Sequence, residues 1–417
     1  MSTEQSEELN VEVKTVEKSE LVVPQGSLWG KLHIIGLVLG IAGLGAWYAG
    51  FSGDPARGWY SYHFGYITSL SLALGCMAFV LIQYLVRAGW SMGVRRIAEN
   101  GMMTIPVFAL LFIPVALGAH DLFHWTHVEH HDKFLKAKAP YLNETFFFIR
   151  AGAYFVLWTL LATVYYRRSV AQDEGSKQQL TKLLVVLSPI GVAIYALSQT
   201  FAAFDWVMSL QPHWYSTIFG VYFFAGSMLF TFSFMVLILL GLQKAGALRN
   251  VVTTEHYHDL GKFMFGFTVF WAYIGFSQFM IIWYANIPEE VEFYFHRLAH
   301  GWETISWIMP ITHFFVPFLF LLSRHVKRHR TALAVGAVWI IVMHVVDIYW
   351  LVMPNFGAHG LKVGEHAPHM HVNMGDIGAL IGVFGIFLAV FGFLLNKNSL
   401  AASGDPRFEE SLAHENY

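Results

Sequence analysis

What this chain has least of is charge. Asp, Glu, Lys and Arg make up 13% of its 417 residues, and 56% are hydrophobic, whereas water-soluble domains carry about 25% charged residues. That excludes a single soluble globule, which could not hide so much apolar surface, and at a net charge of −2 no nucleic-acid partner is expected. Cysteine is the second absence, since Cys76 stands alone. One thiol builds neither a disulfide framework nor a cysteine-held iron–sulfur cluster, and without a C-x-x-C-H string there is no covalent c-type haem. Any electron transfer must run on cofactors borrowed from other chains. The third absence is a basic region followed by an apolar core and cleavage site at the start. Residues 1–28 are acidic and unpatterned, which reads as a disordered leader and not a signal peptide.

Long apolar runs are what is there. Ten of them, each about the 20 residues a bilayer requires, fall at 32–51, 63–86, 102–121, 144–166, 180–203, 215–240, 262–285, 301–322, 332–352 and 374–395. They are continuous and too long for barrel strands, so the expected fold is all-α and integral to a membrane, with ten transmembrane helices. Lys and Arg gather in the even-numbered connections: Arg87, Arg95 and Arg96; Arg167, Arg168, Lys177 and Lys182; Lys244, Arg249 and Lys262; Arg324, Lys327, Arg328 and Arg330. The odd-numbered ones offer Arg57, Lys133, Lys136, Lys138, Arg297 and Lys362. Cationic short loops stay on the cytoplasmic side, so both termini are expected to face the cytoplasm.

One phrase is written twice. WYSYHFG at 59–65 and WYSTIFG at 214–220 agree at five of seven positions, each where an outer loop enters a helix. Further echoes fall in register: Glu144-Thr145 and Glu303-Thr304 open the fourth and eighth spans, and Asp205 and Asp347 stand near the ends of the fifth and ninth. A repeat of four helices gives copies of the same orientation. The expected organisation is therefore a cytoplasmic tail (1–30), a peripheral first helix (31–56), two parallel four-helix bundles (helices 2–5 in 57–210, helices 6–9 in 211–356), an outer loop with a peripheral tenth helix (357–396) and a second tail (397–417).

Ionisable groups in membrane segments are costly, so their placement is informative. His120, His124, His127 and His131 recur at steps of four, three and four and would share one face if the third helix continued outward. Asp121 adjoins them, while Asp205, Glu303, His344, Asp347 and Asp376 also stand within about two turns of the outer surface. Imidazole beside a carboxylate at a dry, lipid-accessible place suits the acceptance of protons, as quinol oxidation demands. The strings HDLFH, HVEHH and HRLAH look like the histidine boxes of membrane di-iron desaturases and hydroxylases, but they fall on the outer side and two share one segment. A haem between His313 and His344 would meet a depth mismatch of about 5 Å. Glycines crowd GLVLGIAGLG and GALIGVFGIF in the first and tenth spans, which makes these two the expected docking faces for partner subunits.

Ten spans, the two parallel repeats, FDWVMSLQPHWYSTIFG at 204–220 and IIWYANIPEE at 281–290 together resemble the polysulfide-reductase, NrfD-like integral membrane proteins. More narrowly, the chain is similar to the pair of such subunits in alternative complex III, a bacterial quinol:cytochrome c oxidoreductase; the resemblance covers residues 30–396. It implies oxidation of quinol or menaquinol near the periplasmic face, with electrons passing to an iron–sulfur subunit and then to multihaem and monohaem cytochrome c subunits. A sister quinol-binding subunit, small membrane subunits, lipid and a terminal oxidase complete the implied partners. The chain is closer to the second sister, active only within the complex. There His120 and Asp121 would form a proton half-channel instead of a quinol site. Candidate quinol or proton-transfer residues are His120, Asp121, His124, Asp205, Glu303, His344 and Asp347, with no metal ligands among them. The competing expectations are a non-catalytic anchor and a membrane di-iron enzyme.

Overall fold

A chain segment surrounded by hydrocarbon can satisfy its own backbone only as a helix, and the apolar runs obey this. The computed structural model describes residues 16–127, 133–175, 178–299, 301–357 and 369–416; residues 1–15 of the acidic leader, His130, His131, Lys177 and Lys362 lie outside them. The structure is 81% helix, with no strand among the described residues. Ten helices are long and apolar enough to cross a bilayer: α1 Trp29–Gly53, α2 Pro55–Leu85, α3 Arg95–Leu117, α4 Glu144–Gln172, α5 Gln178–Leu210, α6 Phe219–Ala245, α7 Thr254–Ala285, α8 Trp302–Leu322, α9 Arg330–Asn355 and α10 Met374–Lys397. The described residues before the first helix and after the last lie at one end of the helices, here the tail end. The opposite, aspartate end carries Asp205, Asp347 and Asp376.

Local signals start and stop these helices. Asp54 accepts from the Arg57 amide ahead of α2, with Pro55 in the first turn, and Asn143 caps α4 by accepting from Phe146. Thr253 with His256 and Asn373 with Asp376 close reciprocal capping boxes on α7 and α10. Gly246, at φ 110°, ends α6 in the left-handed region that a Cβ disfavours. One departure from the expected spans is α3, which starts at Arg95 rather than near 102. Arg95, Arg96 and Glu99 in its first turns are fully buried in ion pairs with one another, Asp173 and Asp405. Hydropathy counts such residues as water-facing.

The two helices that carry the repeated phrase form the centre. Of the most apolar stretch of each helix, 94% of α2 and 83% of α6 is buried, against 17% of α1. They cross closely, because a Cβ at Gly75 would fall 2.2 Å from Thr231 Oγ1 and 2.3 Å from the Ser227 carbonyl oxygen. Around them α3, α4 and α5 are successive neighbours beside α2, and α7, α8 and α9 beside α6. The first copy of the phrase lies a turn inside α2, since Pro55 starts that helix early; the second forms the lead into α6.

Two sequence expectations give way here. The glycine-rich faces of α1 and α10 are spent on each other and not on a partner: a Cβ at Gly36 would sit 2.4 Å from the Ala389 nitrogen, and one at Gly43 2.3 Å from the Gly382 nitrogen. The described outer histidines, His120, His124 and His127, also fail to share a helix face. Pro114 removes a backbone donor, Gly118 packs flat on the Trp59 ring, and the helix stops at Leu117. A four-residue turn, an extended Phe123 and a 3-10 turn over His124–His127 follow. Burying Leu122, Phe123 and Trp125 outweighs continuing the helix.

At the tail end the segments flanking the first and last helices are tied down. Leu248 donates to the Glu20 carbonyl, Leu400 to that of Leu21 and Ala402 to that of Met92. Residues 16–30, inside the stretch read as leader, thus hold 3-10 turns against the helix ends.

Candidate functional site

Asp205 and Asp347 echo each other in the repeat and are both buried, at 0% and 1% exposure, but their surroundings are opposite. Arg150 of α4 meets Asp205 with two nitrogens, Nε and Nη2, each 2.8 Å from a carboxylate oxygen. Tyr154 lies one turn along the same face and donates to Oδ2 at 2.8 Å. The guanidinium is roofed by Tyr141 and Phe146, at 3.9 and 4.3 Å, and its remaining nitrogen donates to the Tyr141 carbonyl. This is a bidentate, desolvated ion pair with its lone pairs satisfied, the arrangement that fixes a charge in place.

Among the described residues, no cation contacts Asp347. Tyr222 of α6 donates to Oδ1 at 2.5 Å and the Trp271 indole of α7 to Oδ2 at 3.1 Å. Both donors are neutral, so hydrogen bonds alone, and no contacting charge, offset the desolvation of an anion there. One turn inward on α9, His344 is buried beside Gly226, whose missing Cβ leaves room for the ring: an added one would stand 3.1 Å from Nδ1. Ser71 of α2 donates to the Thr68 carbonyl at 2.7 Å, which leaves its oxygen to accept from His344 Nε2 at 2.9 Å. In that tautomer the other ring nitrogen, Nδ1, is an acceptor, and it has no hydrogen-bond partner among the described residues. His313 of α8 comes from a π-helical turn, Pro310–Phe315, and lies 4.0 Å from the Trp271 ring with neither nitrogen bonded. Single π turns inside α-helices often mark functional places. Five helices thus bring Ser71, Tyr222, Trp271, His313, His344 and Asp347 together inside the protein, a set of groups able to take up and hand on a proton.

The remaining candidates lie apart from this cluster. His120 and Asp121 are exposed; the His120 side chain, 62% accessible, lies 3.7 Å from that of Glu144. His124 is half-buried in its 3-10 turn. Glu303 accepts from the Gly301 amide at 2.7 Å and serves the first turn of α8. Asp376 is locked: Arg57 at 2.8 Å, Ser61 at 2.5 Å and Tyr349 at 3.0 Å all donate to it, joining α10 to α2 and α9. Among the described residues, no three His, Cys, Asp or Glu side chains converge as a metal site would require, while His130 and His131 of the histidine-box string lie outside those residues.

Sequence reading alone missed Arg150, Tyr222, Trp271 and Ser71. Arg150 carried a usable signal, as an arginine inside an apolar run of the same repeat unit as Asp205. The others are ordinary residues of membrane helices, and only the packing reveals them. Compared with known proteins, the chain matches no family model and no curated protein.

Proposed function

We propose that the chain is a membrane subunit of a quinol-oxidising electron-transfer complex of the polysulfide-reductase-like kind, and that its own part is to accept and pass protons at Asp347. In this reading the aspartate end faces the periplasm of a bacterial inner membrane, as the distribution of Lys and Arg favours. The two repeats act as parallel four-helix bundles, α2–α5 and α6–α9, flanked by α1 and α10. Oxidation of a quinol releases two electrons and two protons. The electrons go to iron–sulfur and haem partners, because the chain's one thiol, Cys76, is buried and alone. The protons need a group that can change its charge.

A single observation carries the reading. Asp347 is a buried carboxyl held only by neutral donors, one turn from an imidazole with a vacant nitrogen. Asp205 and Asp376 are clamped by arginine, and His120 with Asp121 suits release at the water surface more than acceptance at a dry place. Proton release into the lumen of vesicles bearing the whole complex, driven by quinol, tests this. Asp347→Asn is expected to abolish proton release while the complex still assembles. Unchanged release and turnover would leave the chain a non-catalytic anchor.

A further inference from the structure

Arg297 belongs to the segment between α7 and α8 and is 1% exposed. Each of the other buried arginines has a carboxylate: Arg57 has Asp376, Arg95 and Arg96 share Glu99, and Arg150 has Asp205. Arg297 has none among the described residues. Its donors go to the carbonyls of Trp350 at 3.2 Å, Leu351 at 3.0 Å and Phe293 at 2.8 Å, and to Gln211 Oε1 at 3.3 Å. Phe293 and Trp350 cover the cation at 3.6 and 5.0 Å. Burial pulls this guanidinium below its ordinary value, opposed by Tyr294 and Tyr222, and it remains charged at neutral pH.

The two carbonyls identify what Arg297 does. Trp350 and Leu351 are in the last turn of α9, where the helix leaves acceptors unpaired and its dipole is negative. Asp347 stands three and four residues before them, one turn inward. The buried arginine without an acid therefore sits on the end of the helix whose buried acid has no base. The other groups facing Asp347 are Tyr222, with Tyr294 behind it, from one side, Trp271 and His313 from another, and His344 on its own helix. None of these is a fixed charge.

We propose that Arg297 is the positioning residue for Asp347: its uncompensated charge, seated on the outer end of α9, favours the carboxylate and so sets when Asp347 lets its proton go. The inference rests on the proton-transfer reading above. It also explains why position 211 is Gln. Gln211 Nε2 is buried without a partner, so a Glu would fit with one fewer unmet donor, but it would cancel the charge.

That substitution is the test. The Asp347 carboxyl is titrated by infrared difference spectroscopy on the whole complex, its band identified by loss in Asp347→Asn. A negative group beside Arg297, or removal of its charge, makes the carboxylate less favourable, so Asp347 keeps its proton to higher pH. Gln211→Glu and Arg297→Gln are each expected to raise the midpoint by roughly one pH unit, the effect of a unit charge on the order of 10 Å away at an effective dielectric of about 20. Arg297→Lys is expected to restore it. An unmoved midpoint in Gln211→Glu overturns the proposal, as does an equal shift in Arg297→Lys and Arg297→Gln, which would mark a bracing role. If Arg297→Gln does not fold, Gln211→Glu decides alone. Normal proton release in Asp347→Asn would refute the proton-transfer reading while leaving the band shift to be seen.

Discussion

Asp205 and Asp347 occupy corresponding places in the two halves of the chain, each near the aspartate end of its helix, each shut away from water. One is gripped by Arg150 and Tyr154 and the other by Tyr222 and Trp271. Aligned on the sequence echoes Glu144-Thr145 and Glu303-Thr304, the two halves differ at the place of Arg150. Arg150 stands six residues after Glu144; the residue six after Glu303 is Met309, and the π-helical turn that delivers His313 begins directly after it. In the second half the cation is missing and an imidazole is packed close by. A buried carboxylate with a bidentate guanidinium is held in its charged state, whereas one met only by neutral donors has no contacting cation to hold it there. The first half fixes its carboxylate with a cation, and on the proposed reading the second is the one able to change.

The sharpest way to break the contrast is to remove the cation from the fixed half. Arg150→Met strands Asp205 and is expected to cost about 3–5 kcal/mol of stability, read from detergent denaturation of the purified complex. Adding Asp205→Asn should return most of the loss, since a buried neutral amide is cheaper than an unpaired anion. Failure of the double variant to recover would mean that Asp205 does something beyond holding α4 to α5.

How much of this was legible before the structure depends on the range of each interaction. The ten helices were readable because a 20-residue apolar run needs no partner to be recognised. Asp205, His344 and Asp347 stood out as ionisable groups in such runs. Their surroundings did not, because Tyr222 reaches Asp347 across 125 residues and Arg150 reaches Asp205 across 55. The outer histidines misled in the opposite way: their four-three-four spacing imitates a helix face, while Pro114 and Gly118, the residues that end the helix, lay in plain view just before them.

The next effect concerns the switchable half. Tyr222→Phe deletes the shorter of the two hydrogen bonds to Asp347, and a bond of this kind within a membrane protein contributes about 0.6–2 kcal/mol. A loss in that range is expected, together with slower proton release. Asp347→Asn should cost less, about 1 kcal/mol or below, because an amide replaces a carboxyl that no cation was holding; a loss near that of Arg150→Met would show that Asp347 is as structural as Asp205.

The smallest change tests the space beside the free imidazole nitrogen. In an ordinary helix interior Gly→Ala gains about 0.5–1 kcal/mol, and Gly266 on α7, with no heavy atom within 4 Å of an added Cβ, should show that gain. At Gly226 the same methyl arrives 3.1 Å from His344 Nδ1, close enough that the ring must shift by a few tenths of an ångström. The propensity gain is expected to be cancelled, leaving stability within about 0.5 kcal/mol of the parent. Proton release should nevertheless slow, because the methyl covers the one nitrogen of His344 left open to accept a proton. Gly266→Ala supplies the control, with more stability and unaltered release. If Gly226→Ala behaves like its control, the gap beside His344 is mere packing, and the proton must reach Asp347 by a path that avoids the imidazole.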